Sequence, residues 1–259
     1  MIAKVALVTG SGRGIGLATA RRFLAEGWRV ALLDIDGGLL AAAMADIGEP
    51  DLTLPLLCDV ADGPALRAAV QRAATHFGRL DALVNNAGIA VFKPILETTP
   101  EEWARTMAVN LTGPFLATQA AAPIMAETGG GAVVNITSIS GVRASTLRVA
   151  YGTSKAALAH LTKQQAVELA ALGIRANAVA PGPVDTAMAK AVHTTEIRRD
   201  YHDAIPLNRY GLEEELAEVI IFLCTERASY ITGQVIAVDG GFEAAGIGLP
   251  TLRAARRNL

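Results

Sequence analysis

At 259 residues, with 51% hydrophobic but only 5% aromatic side chains, the chain has to build its interior from Ala, Val, Leu and Ile, which suits a parallel sheet buried on both faces. That length exceeds the average domain but is common for one helix-covered α/β unit, so residues 1–259 are expected to form a single domain. A formal net charge of -2, with acids and bases interleaved, excludes the basic footprint that holds a nucleic-acid backbone, and no apolar run approaches the ~20 residues needed to cross a bilayer.

Residues 5–8 form the first short apolar run, and no basic, apolar and small-residue series precedes it, so a secretory signal is not expected and the cytoplasm is the default location. A helical pattern then runs to Glu26, a second strand covers 30–33, and a helix follows over about 39–47. Further strands read at 54–58, 82–85, 132–136, 174–179 and 235–238, with helical stretches between them. Such alternation requires right-handed crossovers between parallel strands, hence a doubly wound, seven-stranded Rossmann sheet with helices on both faces. The longest break in the rhythm, 186–212, is polar, holds no strand and is bounded by Pro181-Gly182-Pro183 and Gly211, so it reads as a substrate lid. The tail over 244–259, with Arg253, Arg256 and Arg257, is expected to be ordered only by contact with something else.

In open α/β sheets the ligand crevice lies outside the carboxyl ends of the strands, and the unusual residues cluster there. Strand one ends in Thr9-Gly10-Ser11-Gly12-Arg13-Gly14-Ile15-Gly16, strand two in Asp34, strand three in Asp59, strand four in Asn85-Asn86-Ala87-Gly88, strand five in Thr137-Ser138 and strand six in Pro181-Gly182. The glycine turn lets backbone approach a pyrophosphate, and the helix starting near Gly14 offers it unpaired N–H groups. Asp34 accepts both ribose hydroxyls of an adenosine and repels a 2′-phosphate, which favours NAD over NADP, although Arg13 pulls the other way. Asp34 would also serve as a helix N-cap.

Tyr151 and Lys155 stand four apart on one helical face. An ammonium beside a phenol favours the phenolate and is expected to draw its pKa toward neutrality, as a general acid/base for an alcohol proton needs. Each of these residues also has an ordinary structural reading: Ser138 and Ser140 as strand-end caps, Asn110 as a helix kink, Asn85-Asn86 as a turn. Their joint order at successive strand ends is what ordinary readings do not produce.

The glycine turn, Asn85-Asn86-Ala87-Gly88, Asn110, Ser138, Tyr151-x-x-x-Lys155 and Pro181-Gly182 followed by Thr186, with thirteen residues between Ser138 and Tyr151, closely resemble the short-chain dehydrogenase/reductases along nearly the whole chain. The resemblance implies that Tyr151 exchanges the proton, Ser138 hydrogen-bonds the reacting oxygen, Lys155 holds the nicotinamide ribose and Asn110 anchors a water-linked proton relay. It also implies that Asp59 contacts the adenine, that Asn86 and Gly88 line the adenosine ribose, and that Val184 and Thr186 hold the nicotinamide carboxamide. Gly10, Gly12, Arg13, Gly14, Ile15, Gly16, Val60, Ala87, Pro181 and Gly182 complete the cofactor contacts.

The activity implied is hydride transfer between NAD and a small alcohol or ketone, such as a polyol, sugar or hydroxy compound. One rival is an NADPH-dependent 3-oxoacyl-(acyl-carrier-protein) reductase, whose basic grips near the ends of the helices before strands five and six are missing at Glu127-Thr128-Gly129-Gly130-Gly131 and Ala170-Ala171-Leu172-Gly173. Enoyl reductases separate the tyrosine and lysine by six residues, where this chain has three. A rival from another class is a non-catalytic NAD sensor that keeps the fold for binding alone.

The Ala-rich segments 112–126 and 152–172 are expected, by resemblance, to pair as a four-helix bundle in a homotetramer. Val91, Ser140, Val142, Arg148 and Met188 are expected to wall the substrate pocket. Cys58 and Cys224 lie in apolar surroundings and read as small hydrophobes, without a disulfide or metal. His76, His160, His193 and His202 lack metal-ligand spacing. His193 and His202 fall in the lid beside Arg198, Arg199 and Tyr201, where a solvated helix face is the ordinary reading and a substrate contact the alternative.

Overall fold

In the computed structural model, which describes residues 3–246 and Pro250, strand β1 (Val5–Thr9) is buried along its whole length inside the sheet. Its side chains alternate between the faces as a period of two demands: Val5 and Leu7 join the apolar cluster on one face, Ala6 and Val8 the cluster on the other. The remaining strands are β2 (Arg29–Asp34), β3 (Thr53–Leu57), β4 (Ala82–Asn85), β5 (Gly131–Ile136), β6 (Ile174–Pro181) and β7 (Val235–Val238). Their order in space is β3-β2-β1-β4-β5-β6-β7, every pairing is parallel, and the winding reverses between β1 and β4. This is the Rossmann-like sheet expected from the alternation of elements, and the reversal opens a crevice at the carboxyl ends of β1 and β4.

One face of the sheet is covered by α1 (Gly14–Ala25), α2 (Gly37–Ile47) and α10 (Glu213–Cys224), whose Phe23, Leu40, Leu216, Ile220 and Ile221 fill the cluster with Trp28. The other face is covered by α3 (Gly63–Phe77), α5 (Gly113–Glu127) and α7 (Val149–Leu169), with α4 (Pro100–Met107) leading into α5. Small residues on this side, Ala69, Ala73, Ala117, Ala121 and Ala166, let the helix axes close onto β-branched strand residues. No described helix is long and apolar enough to cross a membrane.

The N-cap of α2 is Asp36 and not Asp34, whose carboxylate is taken up by the Gly12 and Asp36 amides. Asp36 Oδ1 accepts from the Gly38 and Leu39 amides at α2, Asp62 Oδ1 from the Ala65 amide at α3, and Thr99 and Glu102 form a reciprocal capping box at α4. Helix α1 is different, having neither a side-chain cap nor an acid in its first turn.

Beneath the crevice, the face of β4 and β5 that meets α5 and α7 carries a buried polar chain. Asn85 donates to Asn135 Oδ1 (2.8 Å), Asn135 donates to Thr162 (2.9 Å) and Gln165 (2.7 Å), and Gln165 donates to Thr118 (2.9 Å). Every member is satisfied by another, so the network fixes α5 and α7 against the strands without a desolvation penalty left unpaid.

The segment 186–212 holds two helices, α8 (Ala187–Val192) and α9 (Thr195–Ala204). Its base is pinned by a parallel bridge between Val184 and Gly211, with Gly211 donating to the Pro183 carbonyl (2.9 Å) and Asp185 to the Gly211 carbonyl (3.0 Å). Most of the expected tail, including Arg253, Arg256 and Arg257, lies outside the described residues. Just ahead of it, Arg143 donates to the carbonyls of Phe242 and Glu243 (3.1 Å each).

Candidate active site

The strand ends open into one elongated crevice of about 480 Å³. It is lined at one end by Arg13, Asp34 and Asp59, in the middle by Asn86, Ala87 and Gly88, and at the other end by Ser138, Tyr151, Lys155 and residues of the segment 186–212.

The glycine turn is shaped by close packing. Gly10 has φ +64°, and a Cβ there would stand 2.8 Å from the Ala87 Cα; a Cβ on Gly16 would stand 2.2 Å from the Gly10 carbonyl oxygen. Neither clash can be relieved by a rotamer change, since backbone meets backbone. Gly12 and Gly16 stay behind the crevice surface, while Gly10, Arg13, Gly14 and Ile15 line it. Thr9 locks this turn to the β4 loop: its hydroxyl accepts from the Asn86 and Ala87 amides (3.0 Å each), and the Asn86 side chain donates to the Thr9 and Gly10 carbonyls (2.9 Å each). The α1 N-terminus thus points uncapped N–H groups at a pre-shaped glycine cradle, the donor set a pyrophosphate requires.

Asp34 ends β2 with its carboxylate fixed by two backbone amides, Gly12 to Oδ2 (2.9 Å) and Asp36 to Oδ1 (3.1 Å). Asp59 Oδ1 accepts from the Ala61 amide (2.9 Å), and its Oδ2 pairs with Arg105 across the crevice rim (2.8 Å). Val60 lines the same end. Cys58 also lines it; burial and the nearby Asp62 and Asp59 push its thiol pKa up, and burial pushes Cys224 up to about 12, so both stay neutral thiols.

At the other end, Ser138 leaves β5 in an extended conformation and accepts from the Ser140 amide (3.1 Å), capping the short helix α6 (Ile139–Val142). The structural reading of Ser138 as a cap is therefore correct, and the hydroxyl lines the crevice as well. Lys155 is almost fully buried, donates to the Ile136 carbonyl (2.7 Å) and places its ammonium 5.7 Å from the Tyr151 ring centroid. Burial lowers the Lys155 pKa to about 8.

The Tyr151 phenol differs from expectation. Burial is the largest influence and pushes its pKa up; a hydrogen bond with Ser138 and the charge of Arg148 pull it back. Lys155 was the expected source of that pull. In the structure its ammonium lies over the ring face and donates one hydrogen to a backbone carbonyl, and the cation that pulls the phenol pKa down is Arg148.

Asn110 is fully buried in a π-helical turn, Ala108–Thr112, between α4 and α5, so the kink foreseen for it is present. Its side chain donates to the Ile89 carbonyl (2.9 Å) and Ser154 hydroxyl (3.0 Å) and accepts from the Ile89 amide (2.9 Å), clamping the β4 loop to α7 behind the crevice wall. Ser154 in turn donates to the Tyr151 carbonyl (2.7 Å), a link that no motif announced.

Pro181, Gly182, Val184 and Thr186 line the crevice, and Thr186 caps α8 by accepting from the Ala189 amide (3.1 Å). The segment 186–212 carries an aromatic cluster in which Tyr201, Tyr210 and His193 contact one another, with Nδ1 of His193 3.0 Å from the Tyr210 hydroxyl. His193 and Tyr201 line the crevice; His202 packs against Tyr210 outside it. Burial, Arg148 and Arg198 all lower the His193 pKa, which favours its neutral form.

Of the expected pocket walls, Ser140 and Arg148 line the crevice. Val142 lines a neighbouring shallow depression, Val91 lines neither, and the Met188 side chain lies outside the described residues. Among the described residues, no group of three His, Cys, Asp or Glu is placed to hold a metal ion.

A family model described as Enoyl-(Acyl carrier protein) reductase matches residues 10–243. The chain is 38% identical to a 3-oxoacyl-(acyl-carrier-protein) reductase of Thermotoga maritima, over 92% of this chain and 97% of that protein. It is 40% identical to a 2-(R)-hydroxypropyl-CoM dehydrogenase of Xanthobacter autotrophicus, over 94% of this chain and all of that one. The crystal structure of levodione reductase superposes with a TM-score of 0.89 at 36% identity, covering 93% of this chain and 98% of that one. The chain belongs to the short-chain dehydrogenase/reductase family. As a short-chain dehydrogenase/reductase it is an NAD(P)-dependent oxidoreductase acting on small polar substrates. The relatives named above span both acyl-carrier-protein reduction and the oxidation or reduction of small molecules, so membership of the family does not fix which of these this short-chain dehydrogenase/reductase carries out.

Proposed function

We propose that the protein is an NAD-dependent alcohol dehydrogenase, interconverting a small hydroxy compound and its ketone in the crevice between the glycine turn and the lid. The observation that carries this reading is the convergence of Ser138, Tyr151 and Lys155 at one end of a crevice whose other end is a glycine cradle. The dinucleotide supplies the hydride acceptor or donor when bound. The rest falls to the chain: the α1 N-terminus, Gly10, Gly14 and Ile15 hold the pyrophosphate, Asp34 the adenosine ribose, Asp59 and Val60 the adenine side, and Val184 and Thr186 the carboxamide.

Tyr151 takes the hydroxyl proton in oxidation and returns it in reduction. Ser138 holds the reacting oxygen and, by hydrogen-bonding the phenol, favours the phenolate that oxidation needs. Lys155 binds the second ribose with the ammonium hydrogens not used on Ile136. Asn110 acts behind the site by fixing Ile89 and Ser154, and through Ser154 the backbone of Tyr151.

NAD is preferred to NADP because the Asp34 carboxylate, held by two amides at the end of β2, cannot swing away from a 2′-phosphate. The sequence identity to a carrier-protein reductase favours a second reading, an NADPH-dependent 3-oxoacyl reductase. Against it stand Asp34 and the absence of a basic residue in the last turns of α5 and α7, where an acidic carrier would be gripped. Phe115, Val167 and Leu172 remain exposed on and just beyond α5 and α7, which supports pairing of these helices between copies in a homotetramer. Light scattering at micromolar concentration tests that assembly, and a monomer mass contradicts it.

The test of the activity is NADH formation by wild type and Tyr151→Phe across a range of secondary alcohols and polyols. The expected result is turnover that falls by about 10³-fold or more in the variant while NADH binding persists, on the scale of losing a general acid/base. Dinucleotide binding with no turnover that depends on Tyr151 favours a non-catalytic sensor.

A further inference from the structure

A second cation faces the substrate end of the crevice, and beyond its pull on the Tyr151 phenol it has no role in proton transfer. Arg148 stands immediately before α7, three residues ahead of Tyr151, half-buried and lining the same crevice wall as Ser140, His193 and Tyr201. The side chains that its guanidinium contacts are uncharged. One guanidinium nitrogen donates to the Tyr201 hydroxyl (3.2 Å) and approaches the Ser140 hydroxyl (3.5 Å), and the guanidinium stacks 5.1 Å from the Phe92 ring centroid. Among the described residues no carboxylate pairs with it, whereas Arg105 at the far end of the crevice is paired with Asp59.

The backbone just before it is strained. Leu147 has φ +60°, which is rare for a bulky side chain, and its carbonyl is tied to the Lys93 amide (3.1 Å). Strain of this kind persists where surrounding structure over-determines it, and here the backbone is held by the bridge between Lys93 and Arg148. The charge is felt at the reacting end: it pulls down the pKa values of both Tyr151 and His193. A half-buried guanidinium with a planar fork and no acidic partner is the arrangement that recognises a carboxylate brought in from outside.

We propose that Arg148 binds a carboxylate on the substrate, so that the substrate class is a hydroxy acid and its oxo-acid counterpart, with the carboxylate held against α7 while the carbinol reaches Ser138 and Tyr151. This rests on the dehydrogenase reading above. The same guanidinium holding the lid through Tyr201 and nothing more is the competing account.

Turnover of 3-hydroxybutanoate and 4-hydroxycyclohexanecarboxylate is compared with that of their primary amides, in wild type, Arg148→Gln and Arg148→Lys. Wild type is expected to prefer the acids by about 30-fold or more in kcat/KM, the scale of a charge-assisted bidentate contact. In Arg148→Gln the ratio collapses to within about threefold of unity, chiefly through KM, and Arg148→Lys retains part of it. Calorimetric titration of the NADH complex with cyclohexanecarboxylate and with cyclohexanecarboxamide, neither of which can be oxidised at a carbinol, reads the same site without chemistry. Retained NADH binding shows that each variant folds. Equal binding of acid and amide by wild type, or an acid preference that survives in Arg148→Gln, overturns the anion site. Lack of turnover on every alcohol with the calorimetric preference intact overturns the dehydrogenase reading and leaves the anion site standing.

Discussion

The two ends of the crevice are built by different means. At the dinucleotide end, rigid strand termini present backbone: the glycine turn is locked by Thr9 and Asn86, and Asp34 is held by two amides, so each group's position follows from the sheet itself. At the substrate end, beyond Ser138, Tyr151 and Lys155, the wall is made of side chains from α6, α8 and α9, the loop before α7 and the β4 loop, held by hydroxyl and aromatic contacts. Backbone held by a sheet tolerates little change and serves one ligand well; a side-chain wall on short helices can be rewritten without disturbing the fold.

The largest test of this contrast falls where the two ends meet. Ser138→Ala removes the hydrogen bond to the reacting oxygen and is expected to lower kcat by about 10²-fold or more, on the scale of losing one preorganised donor. Because the Ser138 hydrogen bond lowers the Tyr151 pKa, the residual activity should also rise with pH at a higher pH than in wild type, as a pH–rate profile of alcohol oxidation would show.

At the dinucleotide end, Asp34→Ala removes a fixed negative charge. The ratio of NAD to NADP in kcat/KM is expected to fall by about 100-fold, equivalent to about 3 kcal/mol of lost discrimination. An unchanged ratio would mean that Arg13, not Asp34, decides the coenzyme.

A third effect is on stability. Folded, Lys155 releases its proton near pH 8, against an ordinary value of 10.5. Between those values the unfolded chain binds more protons than the folded one, so the dinucleotide-free protein should gain stability as pH rises through that window, by on the order of 3 kcal/mol. The gain should be missing in Lys155→Met when denaturant unfolding is followed across the same range.

The smallest effect belongs to the lid. Tyr210→Phe removes the hydroxyl that meets His193 and should raise KM by about two- to fivefold, the cost of one neutral hydrogen bond, with kcat and coenzyme affinity nearly constant. A comparable fall in NAD affinity would show that the two ends are coupled.

The same contrast explains what the sequence disclosed. Strand positions, the glycine turn, Asp34, Ser138 and the Tyr151–Lys155 pair were legible because strand period, backbone freedom and helix spacing are local properties. The buried chain from Asn85 through Asn135 and Gln165 to Thr118 was not, since its members come from two strands and two helices and look like ordinary polar residues in sequence. Arg148 was foreseen as a pocket wall, but its lack of an acidic partner and its pull on the Tyr151 phenol depend on a loop whose strained turn at Leu147 carries no glycine to announce it. Tyr210 and Phe92 went unnoticed for a related reason: their neighbours are set by lid and loop packing, which has no period.

The most direct test of hydride transfer at Tyr151 follows an isotope. Secondary alcohols carrying deuterium on the carbinol carbon are incubated with the enzyme and NAD, and the coenzyme is analysed by mass spectrometry and NMR. One deuterium per turnover should appear on the nicotinamide ring with wild type and fall to background with Tyr151→Phe. Deuterium recovered in water, or a labelled coenzyme formed equally well by the variant, would contradict the account.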